Sequence, residues 1–455
     1  MPSAIGVDTG GTHTDLVLAD GDRLVTYKVA STPHDLTDGI IDGVKRIAAI
    51  AGVPLESIGH FVYASTYVTN LFVEGKEPKV GLITTGGFRD VLEIGRASRK
   101  PDVYDIHWRP AKPMVPRHLR RGVRERIGWR GEVIEPLDEA GVRAALADLA
   151  AAGVESIAVC LLHAYANPAH ERRIAELAGE VGPQIDVSIS ADVAREFREY
   201  ERSSSACVSA YIKRPVTKHL AGLQQALAGC GIPATPFIMC GNGGISTFES
   251  VSHNPVSVTH SGVMGGIIGA SALGASCGIA NLITLDMGGT SADVSRVAGG
   301  APTLTSRSRI GAYPLLAPTL DMVTIGAGGG SVGWVEGGIA LRVGPRSAGS
   351  VPGPACYAAG GKEPTVTDAN LVAGRLNADY FLAGARHLDP ALARDAIESI
   401  VARPLGMAIE DAALGMIAIA EAHMVNAIRL VSVERGLDPR DFALVAFGGA
   451  GPLHG

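Results

Sequence analysis

Cysteine is scarce in this chain and poorly placed for cross-linking or metal binding. The six cysteines, at 160, 207, 230, 240, 277 and 356, include no CxxC pair and no metal-binding spacing. Several lie in apolar runs, which predicts buried free thiols in a reducing cytosol. The histidines offer no HExxH or comparable ligand spacing. Aromatic residues make up only 5% of the chain and charged residues 19%, with a net charge of −6. Such a chain has no general attraction for nucleic acid or an acidic membrane. The N-terminus lacks a basic region followed by an apolar one, which predicts no signal peptide and a cytoplasmic protein. Residues 262–285 are uncharged, yet Gly265, Gly266, Gly269, Gly274 and Gly278 interrupt them, so a buried helix followed by a strand at Leu282–Leu285 is expected, not a membrane span.

Glycine, by contrast, is abundant, with 58 residues concentrated in loops. Two stretches read as one device used twice: Ile5-Gly6-Val7-Asp8-Thr9-Gly10-Gly11-Thr12-His13-Thr14-Asp15 and Leu285-Asp286-Met287-Gly288-Gly289-Thr290-Ser291-Ala292-Asp293. Each is an apolar strand ending on Asp, then a Gly-Gly-Thr turn, then a second Asp. Paired glycines bring bare N–H groups against phosphate oxygens, and the Thr hydroxyl adds a donor. A carboxylate beside phosphate requires a cation, so Asp8 and Asp286 are the expected ligands, through water, of Mg²⁺. The spacing is neither GxxxxGK[ST] nor GxGxxG before a helix, and no Lys follows the glycines. Two copies predict two lobes closing on one nucleotide. Asp15 and Asp293 are equally well read as turn-stabilising residues.

The length of 455 residues predicts two or three domains. Strands are expected at Ala4–Asp8, Asp15–Ala19, Arg23–Val29, Lys79–Thr84 and Ser156–Leu162, with helices at Leu36–Ala51, Asp138–Ala152 and Pro168–Glu180. This alternation is α/β. A long helix from about Arg195 to Leu227, interrupted near Pro215, is expected to cross to a second lobe beginning with strand Pro236–Met239. That lobe ends with helix Glu410–Arg435 and strand Ala443–Phe447. The basic run Arg117, Arg120, Arg121, Arg124, Arg126 and Arg130 reads as a solvated strand or hairpin.

Three further stretches admit two readings each. The glycines of Ile325–Ser331, Gly328, Gly329 and Gly330 among them, either line phosphate or pack as a turn under another loop. Gly448-Gly449 after the last strand either contact adenosine or form a flexible turn. The Pro/Gly-rich, polar stretch Arg342–Leu376 reads as a rigid loop lining a cleft, or its Thr367-x-x-Asn370 equally as only the start of a helix capped by Thr367. Cys356, without an adjacent His, is expected to be a structural thiol and not a nucleophile.

Two Asp-Gly-Gly-Thr turns and a late Gly-Gly turn resemble the superfamily of actin, sugar kinases and heat-shock chaperones. Over nearly its whole length the sequence also resembles the hydantoinase A/5-oxoprolinase family, which includes ketone carboxylase subunits. The matching stretches include Gly6–Leu18, Leu82–Arg96, Val159–Ala166, Arg198–Ile212, Leu285–Val294, Thr324–Ser331, Val343–Tyr357, Glu363–Leu376 and Val433–Gly455. The resemblance implies a two-lobed actin/hexokinase-like ATPase fold with ribonuclease H-like lobes, at 1–200 and 201–455. Family members commonly run well beyond the last turn, so a second lobe cut short at its C-terminus is expected. Two motifs depart from the family: Tyr63-Ala64-Ser65-Thr66 replaces its HGTT, and Ser261-Gly262-Val263-Met264-Gly265-Gly266 its SGPAxG.

The implied chemistry is ATP-dependent opening of a cyclic amide such as hydantoin, 5-oxoproline or a lactam. ATP and Mg²⁺ are the implied cofactors, and a hydantoinase B-type subunit the implied partner. Asp8 and Asp286 are then the catalytic and metal-positioning carboxylates. Thr9, Gly10, Gly11, Thr12, Gly288, Gly289, Thr290, Gly328, Gly329, Gly330, Gly448 and Gly449 form the nucleotide site. The alternatives are a ketone carboxylase subunit, an ATP-gated switch, or an inactive regulatory homologue.

Overall fold

The computed structural model of the chain describes residues 2–11, 13–32, 35–74, 78–96, 104–182, 184–381, 384 and 386–455. The chain divides into two compact units, one running up to Gly265 and including Leu304–Leu320, the other made of Gly266–Thr303 and Asp321–Gly455. Both are α/β.

The first unit opens with the expected meander, Ser3–Thr9, His13–Asp20 and Arg23–Ala30, all antiparallel. Alternating burial along Ser3–Thr9 puts Ile5 and Val7 into the core. The strand Ile58–Ser65 then lies parallel to Ser3–Thr9. Pro236–Met239 and Ile245–Thr247 complete this six-stranded sheet. Pro236–Met239 therefore belongs to the first unit, whereas the sequence reading placed it at the start of the second lobe. Its pairing with Ile58–Ser65 is a long-range contact with no local signature.

Helix Leu36–Ala51 covers the meander. Asp35 caps it by accepting from the Thr37 N–H, and Gly52 closes it at φ 71°. Ile40, Val44, Ile47 and Ala51 form its buried stripe. Gly43 sits so close to Leu16 that a Cβ there would meet Leu16 Cδ1 at 2.8 Å.

A second sheet in the same unit is wholly parallel, in the order Asp186–Ile189, Ser156–Cys160, Val80–Thr85, Arg120–Val123. The basic run is thus divided. Arg126–Ile127 does form a hairpin with Val133–Glu135, but Arg120 lies on an edge strand of this sheet and is 1% exposed. Its Nε donates to the Val115 carbonyl and its Nη2 to Glu93 at 2.8 Å. Local composition hid this, because burial of that arginine is decided by partners in other segments.

Helix Glu199–Gly229 runs for 31 residues without a break at Pro215. It is buried on all sides from Arg202 to Ile212 and then along one stripe, Val216, Leu220, Leu223 and Leu227. Its main strand contacts are with the first unit, including Ser156–Cys160, Asp186–Ile189 and Tyr313–Leu315. It is a core helix of that unit and does not cross between domains.

The second unit is built on the sheet Ala301–Pro302, Ala292–Ala298, Leu282–Met287, Ala443–Phe447, with Met322–Ile325 also paired to Ala292–Ala298. Helix Ile409–Val431 lays Ala412, Met416, Ala420, Met424 and Ala427 into this unit's core. The uncharged stretch forms helix Ser261–Ser276 and the following strand, as the glycine content indicated. All six cysteines are free thiols.

Candidate functional site

The two Asp-Gly-Gly-Thr stretches fold into hairpins with the same register. In the first, Asp8 faces Asp15, and Gly10 N–H donates to the His13 carbonyl at 2.9 Å. In the second, Asp286 faces Asp293, and Gly288 N–H donates to the Ser291 carbonyl at 3.0 Å. The correspondence extends to the neighbours. Asp8 lies opposite Ala64 on a parallel strand, and Asp286 opposite Phe447 on a parallel strand. Asp15 lies opposite Lys28 and Asp293 opposite Thr324, each on an antiparallel strand. The duplication therefore covers a four-strand unit, not just the turns. Thr12 lies outside the described residues.

The hairpins differ in electrostatics. Asp15 pairs with the Lys28 ammonium at 2.6 Å, and both are exposed. Asp293 has only the Thr324 hydroxyl, at 2.6 Å, to offset its burial. Burial and the Asp293 charge push the Asp286 carboxyl up to about 6. Two hard carboxylates facing each other, both pushed above the usual carboxylate range by burial, are a donor set that suits a hydrated Mg²⁺ ion. Among the described residues no group of three or more His, Cys, Asp or Glu side chains could hold a metal by itself.

A raised carboxyl makes the native state bind more protons than the unfolded chain. Stability from Asp286 is thus present at low pH and lost as pH rises from about 4 through about 6. Asp286→Asn is expected to flatten that part of the melting temperature against pH curve, measured by calorimetry on the apo protein. An unchanged curve would show that Asp286 ionises freely.

The late glycine turn closes on the second hairpin. Gly448 has φ 83°, and a Cβ there would meet Asp286 Oδ1 at 2.3 Å and the Met287 carbonyl oxygen at 2.7 Å. Gly449 faces open space, and Ala450 N–H donates to the Met287 carbonyl at 2.9 Å. Gly448→Ala is expected to cost about 1–3 kcal/mol of stability and to move Asp286, whereas Gly449→Ala should be silent in the same melts.

Gly328, Gly329 and Gly330 do not line a phosphate site. Their N–H groups donate to Ser331 Oγ, the Gly288 carbonyl and the Gly289 carbonyl, at 2.8, 3.0 and 2.6 Å, and all three glycines are buried. A Cβ on Gly328 would lie 2.6 Å from the Gly289 backbone. These glycines support the second turn from beneath, the alternative left open by the sequence. Sequence alone could not decide between the readings, because both need backbone without side chains.

Beneath that loop, Thr367 donates through both N–H and Oγ1 to the Gly329 carbonyl, at 2.7 and 2.8 Å. The helix cap is Thr365, not Thr367, in a reciprocal capping box with Asp368. Asp368 also accepts from the Ala355 and Cys356 N–H groups. Cys356 is fully buried, and burial together with Asp368 pushes its thiol up, so it is inert as a nucleophile. The Pro/Gly-rich stretch up to Tyr357 is thereby tied, through Asp368, Thr367 and Gly329, to the second turn. At the end of the chain, His454 Nδ1 lies 3.2 Å from Glu421 and Nε2 lies 3.3 Å from Asn370.

Around Asp8 the two departing motifs meet. Ser65 N–H donates to Ser261 Oγ at 3.3 Å, and Thr66 N–H to the Thr9 carbonyl at 3.1 Å. A Cβ on Gly262 would stand 3.0 Å from Asp8 Oδ1. Both changes relative to the family therefore touch the wall of the first hairpin.

A two-unit α/β protein in which each unit presents a carboxylate-bearing glycine hairpin is the class defined by these features. The chain belongs to the hydantoinase/oxoprolinase family: the model of its N-terminal region matches residues 4–182 and the hydantoinase/oxoprolinase model residues 202–455. It is 38% identical to caprolactamase subunit alpha of Pseudomonas jessenii, over 99% of this chain and 66% of that one. It is 34% identical to the acetone carboxylase beta subunit of Xanthobacter autotrophicus, over 99% of this chain and 65% of the relative. Among solved structures, nucleotide-free acetone carboxylase matches with a TM-score of 0.86 at 34% identity, and the ATP-dependent caprolactamase of Pseudomonas jessenii with 0.85 at 37% identity. Each match covers 99% of this chain and 66% of the solved one. The chain thus spans about two thirds of the length of these relatives.

Proposed function

We propose that this chain is the nucleotide-binding part of an ATP-dependent enzyme that opens a cyclic amide such as a lactam, hydantoin or 5-oxoproline. The duplicated carboxylate hairpin is the observation that carries the reading, supported by the 38% identity to a caprolactamase subunit. An amide carbonyl is a poor electrophile because resonance feeds it, and phosphorylation of its oxygen removes that protection. ATP supplies the phosphoryl group, and Mg²⁺ would neutralise its developing charge.

The chain's own residues position and polarise. Asp8 in its hairpin and Asp286 in the other are each proposed as a carboxylate that would serve hydrated Mg²⁺. The exposed turn residues Gly11, Gly289 and Thr290 offer N–H groups to phosphate, backed by Thr9, Gly10 and Gly288 in the hairpins. Gly448 and Gly449 leave backbone bare for the nucleoside. A hydantoinase B-type subunit is the partner proposed for the hydrolytic step, consistent with relatives named as subunits.

The 34% identity to an acetone carboxylase subunit favours a second reading, phosphorylation of bicarbonate or an enolate in a ketone carboxylase. Phosphate release from MgATP, with and without a partner subunit, separates them when followed across lactams, hydantoins, 5-oxoproline and ketones with bicarbonate. Stimulation by a cyclic amide supports the first reading. Stimulation only by ketone plus bicarbonate supports the second, and turnover that no substrate stimulates overturns both.

A further inference from the structure

Three of the motifs that mark the family resemblance, apart from the hairpins, converge on one cavity of the first unit. It measures about 380 Å³, the size range of a small-ligand pocket, and its lining includes Arg96, His163, Tyr165, Arg198, Glu199 and Arg202. Arg96 ends the Leu82–Arg96 stretch, His163 and Tyr165 come from Val159–Ala166, and the other three open Arg198–Ile212. Nothing in the nucleotide chemistry uses them.

Arg202 is the unusual member. It is 1% exposed, and its Nη2 donates to the Leu161 carbonyl, but Nε and Nη1 have no hydrogen-bond partner among the described residues. Its guanidinium stands 5.4 Å from the Tyr165 ring centroid. A buried guanidinium with two idle donors is costly unless an anion meets it. The buried carboxyl of Glu171 does not bond to it, because its oxygens already accept from the Leu161 N–H, Ser190 Oγ and Ala191 N–H at 2.8, 2.6 and 2.9 Å. Burial also drives Glu171 toward its neutral form.

Arg96 is engaged by Glu201 through two hydrogen bonds of 2.9 and 2.7 Å, and Glu199 also lines the cavity. Arg198 and the two unpartnered nitrogens of Arg202 are the cationic groups left to meet an anion. The N-terminus of helix Glu199–Gly229 opens at the same place and adds its dipole. Arg198, just ahead of that helix, is held at φ 85°, a conformation that sets where its side chain leaves the backbone. His163, at φ 56°, has Nδ1 at 2.8 Å from the Ile127 carbonyl, which fixes its ring in the cavity wall.

We infer that this cavity binds a small planar monoanion, a carboxylate or bicarbonate, with Arg202 and Arg198 as its cationic contacts. A planar oxyanion matches guanidinium geometry, with two oxygens set to meet two N–H donors. The inference does not depend on the nucleotide reading, since the cavity lies wholly within the first unit and shares no residue with either hairpin.

Isothermal titration of the full chain, without nucleotide and at fixed ionic strength, tests it with sodium acetate, sodium bicarbonate and inorganic phosphate. Saturable binding of acetate or bicarbonate is expected, weakened by about tenfold or more in Arg202→Met and in Arg198→Gly. Glycine suits the backbone at 198, so Arg198→Gly keeps the test valid if Arg202→Met fails to fold. Tighter acetate binding identifies a carboxylate-bearing ligand, and tighter bicarbonate binding identifies bicarbonate itself. The inference is overturned if neither planar anion saturates, if phosphate binds more tightly than both, or if Arg198→Gly binds with unchanged affinity.

Discussion

Substrate-stimulated phosphate release from MgATP should fall by about 10²–10³-fold in Asp286→Asn, while the apo protein melts at a higher temperature than the wild type. Both effects have one origin. Asp286 is held against Asp293 in a largely buried hairpin, where burial and the neighbouring charge oppose its ionisation. The amide removes that electrostatic cost and with it the carboxylate proposed to serve Mg²⁺. Steady-state phosphate assays and calorimetry on the same preparations check the pair of outcomes. Turnover within about twofold of wild type would remove Asp286 from the proposed machinery. A fall in both activity and melting temperature would instead mark it as structural.

Asp368→Ala is the substitution expected to damage the fold most. This buried carboxylate accepts from the N–H groups of Ala355, Cys356 and Thr365 and from Thr365 Oγ1. Removing it strands three backbone donors and a hydroxyl in the interior, at a cost of about 3–5 kcal/mol. For a unit of this size that lowers the melting temperature by about 10 °C. The damage should spread toward the second turn, because the same helix delivers Thr367 to the Gly329 carbonyl. Hydrogen exchange at Gly329 and Gly330 is the direct readout: unchanged protection there would show that the supporting loop stands without Asp368.

The hairpins were legible from composition alone because their chemistry is local. An Asp at a strand end, two glycines and a Thr can be read in one pass, and the structure sets both copies in the same register. The meander and the helix Leu36–Ala51 were legible for a similar reason, since period and caps lie within the segment itself. The glycines at 328–330 were ambiguous because a bare backbone serves equally to hold phosphate or to pack beneath another turn. Only the partners of their N–H groups, Gly288, Gly289 and Ser331, decide it. Thr367 was expected as the cap, but the helix begins at Val366, so Thr367 lies inside it and Thr365 is the cap, fixed by its reciprocal bonds with Asp368.

By itself the sequence determined the α/β class, the two Asp-Gly-Gly-Thr hairpins and the family, each resting on residues that act within a few positions of one another. Tertiary structure decided which strands sit beside those turns, that Pro236–Met239 and the long helix belong to the first unit, and that Arg120 and Arg202 are buried. It also decided that Asp286, and not merely the turn, is electrostatically poised. Burial and the proximity of a second charge are properties of the folded neighbourhood, and no residue carries them in its own identity.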